Sequence, residues 1–147
     1  MVVSGIELLK KRIKKETNLN KNEYPDTTEF FKQLALCNTV VCEFDEKTKQ
    51  VKYSASSPDE LALVQGDSSV GIKLIARQHG RLYVMNLASK EELKYKIEAE
   101  FPFDSIRKRM SVILKSLDGT YVLYCKGADT VMYDRISYEK NGIENLK

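Results

Sequence analysis

Cysteine and histidine are scarce in this chain, and their scarcity closes off several chemistries. The three cysteines, Cys37, Cys42 and Cys125, are odd in number and have no Cys-x-x-Cys spacing, and His79 is the single imidazole. Neither a disulfide framework nor a zinc site is expected, and the thiols read as reduced, in a cytosolic setting. Long apolar runs are missing too. Runs such as residues 34–37 fall far short of a bilayer-crossing helix, and no signal peptide opens the chain. Charge of one sign is hardly in excess: 24 Lys and Arg face 21 Asp and Glu, and a net +3 makes no case for nucleic-acid binding by itself. There is no internal repeat and no low-complexity tract. The 147 residues are the length of one domain, enough to bury a core.

What is present organises around EFPFDSIRKRMS (residues 100–111), read together with Lys126 and Gly127 in YCKGAD. An aromatic (Phe103), a hydroxyl (Ser105) and three cations (Arg107, Lys108, Arg109) lie within seven residues, with another Lys at the end of the next hairpin. An aromatic base and a polyanionic tail make two separate demands on a site, a ring face for stacking and a few aimed Lys or Arg charges. A structural reading stands beside this one. Phe101 and Phe103 fit as inward residues of a strand, and Arg-Lys-Arg fits as a solvated face. Alternation along an extended segment directs at least one of Arg107 and Arg109 away from a ligand.

Along the chain, residues 5–16 space Ile6, Leu9 and Ile13 by three and four among basic residues, a short basic amphipathic helix. A polar connector over 17–25 completes an N-terminal segment, 1–25, that serves as linker or hinge to a domain spanning 26–147. Asp26 or Thr27 caps a helix through Cys37 whose Phe30, Phe31, Leu34 and Ala35 form a buried face. Residues 40–44 and 50–54 form a hairpin. Ser57-Pro58-Asp59-Glu60 starts a helix in which Ser57 caps, Pro58 takes the first position, and Glu60 sits where a capping box places its carboxylate. Leu61, Leu63 and Val64 follow as inward residues.

Residues 71–77 and 81–87 form a second hairpin turning at His79-Gly80, where His79 is a turn residue without a catalytic part. Residues 93–101 read as a strand although EELKYKIEAE is rich in helix formers. Residues 110–116 and 120–126 flank Asp118-Gly119, the strongest hairpin signal in the chain. Val122, Tyr124 and Lys126 share one face of that last strand, and Gly127 offers a sharp backbone turn after it. Asp129 caps a final helix with Val131, Met132 and Ile136, closed at Asn141-Gly142. The class is α+β, an antiparallel sheet of about six strands flanked by helices.

SSPDELALV (residues 56–64), FDSIRKRMSVI (103–113) and YCKGADTVMYDRI (124–136), in this order and spacing, resemble the nucleotide-binding (N) domain of type IV P-type ATPases, the phospholipid flippases. FFKQLALCNTVV (30–41) resembles the helix before the first of these motifs. The resemblance implies that Phe103 is the adenine-stacking aromatic, that Lys108 lines the pocket and that Lys126 of Lys126-Gly127-Ala128 lies deep in it. It further implies that Glu60 approaches the adenine amino group and that Ser105 lies near the base. Asp129 belongs to the same signature, with helix capping as its full explanation. Two departures stand out. Gly66-Asp67-Ser68-Ser69 replaces the family's small and apolar residues, and Phe101-Pro102 doubles the aromatic, leaving two candidates for the stacking ring.

The resemblance implies ATP as ligand, with Mg²⁺ carried by ATP or bound in a phosphorylation domain outside this chain. No DKTGT aspartate and no metal-binding carboxylate cluster is present, so no catalytic residue and no metal site is assigned. The expected product is a monomeric, soluble, substrate-presenting module of an ATP-hydrolysing phospholipid translocase. It belongs to the cytoplasmic part of an integral membrane protein, with the phosphorylation and actuator domains as its partners and no nucleic acid. The family's domain continues to a further arginine, so a domain trimmed at its C-terminus is expected to bind ATP near the millimolar range, roughly −4 kcal/mol. The rival reading is a nucleic-acid or acidic-partner module that uses RKRMS and the basic N-terminal helix, marked by steep salt dependence. A structural interaction domain is the third.

Overall fold

A computed structural model of the chain describes residues 25–136. The expected basic helix over 5–16 and the helix end at Asn141-Gly142 lie outside the described residues. The described chain runs α1 (Pro25–Leu36), β1 (Val41–Asp45), β2 (Gln50–Ser54), α2 (Pro58–Val70), β3 (Ile72–Gln78), β4 (Arg81–Asn86), β5 (Glu91–Phe101), β6 (Arg109–Ser116), β7 (Tyr121–Gly127) and α3 (Asp129–Tyr133). Its class is α+β. The strands divide into a two-stranded sheet, β1-β2, and a five-stranded antiparallel meander, β3-β4-β5-β6-β7, where one sheet of about six was expected.

One face of the meander packs on α1 and α2. Alternation supplies Ile72 and Leu74, Leu82 and Val84, Tyr95, then Met110, Val112 and Leu114, and Tyr124, all buried against Ala35, Leu36, Cys37, Val40 and Val64. Each such Leu or Val contributes about 1.5–3 kcal/mol by leaving water. The opposite face is open, with Leu123 64% exposed. β5 carries helix-forming residues yet runs as an eleven-residue strand. It lies between β4 and β6 with both backbone edges paired, and that pairing outweighs a propensity difference of a few tenths of a kcal/mol per residue.

The helix ends explain themselves locally. Asn38, buried after α1, donates from Nδ2 to the carbonyls of Leu34 (3.0 Å) and Ala35 (2.8 Å) and accepts the Val40 amide at Oδ1 (3.1 Å). It thereby satisfies carbonyls that the helix leaves unpaired. Ser57 Oγ accepts the Glu60 amide at 3.4 Å, and α2 stops at Gly71, whose φ of 104° suits glycine and whose amide reaches the Asp67 carbonyl. The turn between β3 and β4 has positive φ at both His79 (51°) and Gly80 (70°), the pair a tight type I′ hairpin requires.

Several expectations about packing are corrected. Phe30 and Leu63 are exposed; the buried end of α1 is Ala35, Leu36 and Cys37, and on α2 the buried residues are Val64 and Asp67. The sheet covers the C-terminal end of α1 and a narrow stripe of α2, and leaves Phe30 and Leu63 outside that cover. Asp129 is not the cap of the last helix but its first residue. Ala128 occupies the cap position, and the Asp129 carboxylate accepts only its neighbour's amide, from Thr130, at 2.7 Å. α3 ends at Tyr133, before Ile136.

Candidate functional site

α2 and β7 bring Glu60 and Lys126 together. Glu60 lies in the first turn of α2. Lys126 projects from the end of β7 on the same face as Val122 and Tyr124, the face that packs on the helices. Lys126 Nζ stands 3.1 Å from Glu60 Oε1, with both side chains mostly enclosed. Glu60 does not complete a capping box with the Ser57 backbone. Its Oε2 instead accepts the Thr39 amide (3.1 Å) and hydroxyl (2.6 Å). Burial acts to raise the Glu60 carboxyl, but the two Thr39 hydrogen bonds and the Lys126 charge outweigh it, and the group is held below the usual glutamate range. Glu60 is therefore an anion aimed by Thr39 at the cation of β7.

Gly127 attaches a second part of the site. A Cβ there would stand 2.6 Å from the Lys108 carbonyl oxygen and 2.6 Å from Arg109 Cβ, so the close approach of β7 to the 102–108 loop requires glycine. The expectation of a sharp backbone turn at Gly127 is replaced by this reason, as its φ is not in the left-handed region. Ala128 N donates to the Lys108 carbonyl at 3.1 Å, and Lys108 itself has a φ of 51°. The Asp104 carboxylate winds the loop by accepting the amides of Ile106 (2.8 Å) and Arg107 (2.7 Å). Residues 105–107 are thus a turn and not the extended segment on which the Arg107/Arg109 alternation was argued.

The loop sorts the two phenylalanines. Phe101 ends β5, and the Arg107 guanidinium lies over its ring at 5.5 Å while donating to Ser111 Oγ at 3.3 Å. Phe103 is 62% exposed with no ring or cation partner among the described residues. Ser105 and Lys108 are exposed on the same turn. Arg109 donates to the Arg107 carbonyl at 3.2 Å. Two of the three cations of RKR are therefore engaged inside the loop.

Sequence reading missed three residues. Thr39 is the anchor of Glu60 and lies inside the FFKQLALCNTVV motif. Arg77 ties the region together by donating to the Asn38 carbonyl (2.7 Å) and pairing with Glu100 (2.5 Å); nothing in its local sequence signals this. Asp67, fully buried on α2, carries an orphaned carboxyl that burial pushes up to about 8 against the pull of Lys126. Its signal was the departure at residues 66–69. A groove of about 440 Å³ lies at the other end of the sheet, lined among others by Glu29, Lys32, Tyr95, Asp118 and Tyr124, and holds none of the predicted site residues. Among the described residues no group of three or more His, Cys, Asp and Glu is gathered, and no helix is long and apolar enough to cross a membrane.

Residues 26–145 match the family described as P-type ATPase, cytoplasmic domain N. The chain is 40% identical over 144 residues to the phospholipid-transporting ATPase DRS2 of Saccharomyces cerevisiae, covering 95% of this chain and 11% of that protein. It is 39% identical over 137 residues to a phospholipid-transporting ATPase of Schizosaccharomyces pombe, covering 93% and 10%. To phospholipid-transporting ATPase 6 of Arabidopsis thaliana it is 34% identical over 148 residues, covering 98% and 12%. The chain spans about a tenth of the length of these relatives. With these matches and an α+β fold of the same kind, the chain belongs to the N-domain family of P-type ATPases, on its type IV, phospholipid-transporting branch.

Proposed function

We propose that this domain binds ATP by its adenosine end and presents the γ-phosphate to a phosphorylatable aspartate outside this chain, within an ATP-hydrolysing phospholipid translocase. The observation that carries the reading is the meeting of Glu60 and Lys126, from motifs 66 residues apart, next to Gly127, which packs on the base of a loop with an unpartnered phenylalanine. In this reading Phe103 stacks on adenine and Glu60 Oε1 accepts the exocyclic amino group. Lys126 lies beside the base and sugar, Lys108 meets the phosphates at the rim, and Ser105 donates near the base. Gly127 holds the two halves in register. Phe101 is the weaker candidate for stacking because Arg107 already covers its ring.

Catalysis of phosphoryl transfer is largely positioning and charge neutralisation, so the domain's share is to fix the nucleotide. Mg²⁺ travels with the ATP phosphates or is bound by the phosphorylation domain. That domain and the actuator domain are the partners in the whole protein, and its membrane-embedded part carries the lipid. The site lies on the cytoplasmic side.

The test is a ¹⁵N NMR titration with ATP and with GTP. Amide shifts centred on Glu60, residues 103–108 and Lys126, larger for ATP, are expected. Phe103→Ala should weaken ATP binding about tenfold or more, from the loss of roughly 1–3 kcal/mol of stacking, with the fold intact; Phe101→Ala should have little effect. Unchanged ATP binding in Phe103→Ala would sink the stacking assignment.

A further inference from the structure

Two buried titratable groups, the Asp67 carboxyl and the Lys126 ammonium, are each left short of a hydrogen-bond partner. Asp67 is 1% exposed, and neither carboxyl oxygen has a hydrogen-bond partner. Lys126 Nζ is equally enclosed and has the ion pair to Glu60 but no hydrogen bond of good geometry. Glu60 and Asp67 are seven residues apart on α2, two turns, and so lie on one stripe with Val64. The charge of Lys126 acts on both carboxyls. The ammonium pairs with Glu60, and its charge still reaches the Asp67 carboxyl two turns further along the helix.

We propose that Lys126 is a switched residue, paired with Glu60 while the site is empty and handed to Asp67 when the amino group of a bound nucleotide takes the Glu60 carboxylate. The proposal rests on the ATP reading above. Oε2 of Glu60 already accepts two hydrogen bonds from Thr39, so an incoming N–H donor competes with Lys126 for Oε1. A displaced ammonium requires another buried acceptor. Among the described residues, the buried side-chain acceptors without a partner are the two oxygens of Asp67.

The handover has a proton balance. Burial keeps the Asp67 carboxyl protonated near neutrality, up to about 8, with Lys126 drawing it down. Pairing with Lys126 requires the carboxylate, so one proton leaves Asp67 for solvent as the ammonium arrives. Lys126 from β7 and Tyr53 from β2 are the groups coupled electrostatically to Asp67. The Tyr53 phenol is bonded to the Leu74 carbonyl and Ser68. β3 turns Ile72 and Leu74 inward, and its Arg77 is committed to Glu100 and Asn38. At the end of α1 the Cys37 thiol, pushed up to about 11 by burial, stays neutral. Among the described residues, Lys126 is the cation whose charge acts on Asp67.

Carboxyl ¹³C NMR of the ligand-free protein reads Asp67 directly. Glu60→Gln frees Lys126, and Asp67 should then titrate at least about one pH unit lower than in the wild type; Lys126→Met should move it higher. An Asp67 titration unmoved by Glu60→Gln overturns the handover, whether or not ATP binds. Calorimetry of ATP binding at pH 7 in buffers of different protonation enthalpy should show release of up to one proton per nucleotide in the wild type and none in Asp67→Asn. ATP binding with no proton released by the wild type also overturns it. A wild type that binds no ATP overturns the nucleotide reading instead, while the ligand-free titration still decides whether Lys126 can pass between the two carboxyls.

Discussion

A methyl group added at Gly127 would meet the Lys108 carbonyl oxygen and Arg109 Cβ at 2.6 Å and Arg109 Cα at 2.9 Å. These are backbone and near-backbone atoms of a neighbouring strand and cannot rotate away. Gly127→Ala is expected to cost about 1–3 kcal/mol of stability and to loosen the 102–108 loop, read as a lower denaturant midpoint together with weaker ATP binding. Asp67 carries a second prediction. Burial pushes its carboxyl up to about 8 from the ordinary aspartate value of 3.8, so the native state holds a proton the unfolded chain gives up. Its contribution is fully present below about pH 4 and is lost as pH rises toward about 8, by up to about 1.4 kcal/mol per pH unit. Asp67→Asn should flatten that decline in a pH series of urea melts. A wild-type stability that rises steadily from pH 5 to 8 would contradict it. Glu60 has the opposite sign: its lowered pKa stabilises above the usual glutamate range and the contribution fades under acid.

At the scale of elements, α2 was legible because its signals are local. Ser57 and Pro58 are a cap and a first-turn proline, each acting within a few residues, while Gly71, expected to open the next strand, is the left-handed stop. Ser57→Ala should cost about 1 kcal/mol, measurable by chemical denaturation. The helix's buried stripe was less legible. Of the three apolar residues expected to face inward, Val64 is buried, Leu61 is half-buried and Leu63 is exposed, and the other buried residue is the polar Asp67. The 102–108 loop was misread as extended because the turn depends on Asp104 accepting two amides and on Ala128 holding Lys108, the second a contact across 20 residues. β5 shows the same limit in reverse, since helix formers become strand once β4 and β6 supply both edges.

At the scale of the whole molecule, the meander places the end of β5, the start of β6 and the end of β7 beside one another, and the Glu60–Lys126 ion pair ties the start of α2 to that corner. Thr39, Glu60 and Lys126 become neighbours without being adjacent in sequence, and Gly127 and Ala128 tie them to the base of the 102–108 loop at Lys108. A ligand held there stabilises the fold by linkage. With a dissociation constant near millimolar, ATP at ten times that concentration should add about 1.4 kcal/mol, seen as a rise in melting temperature that GTP does not match and that salt erodes only modestly. A rise of equal size with GTP, erased by salt, would favour a merely basic surface.

Sequence alone determined the fold class, the order of the hairpins and helices, the family, and the motifs in which the site residues lie, because hydrophobic alternation, caps and turn residues act over a few positions. It named Glu60 and Lys126 from separate motifs but did not pair them. Tertiary structure decided that the Glu60 carboxylate turns to Thr39 and Lys126 and away from its own helix cap, that Arg107 covers Phe101 and leaves Phe103 open, and that Asp67 is sealed without a partner where the charge of the same lysine acts on it. Those outcomes depend on which charges are buried together, and burial belongs to the packed chain.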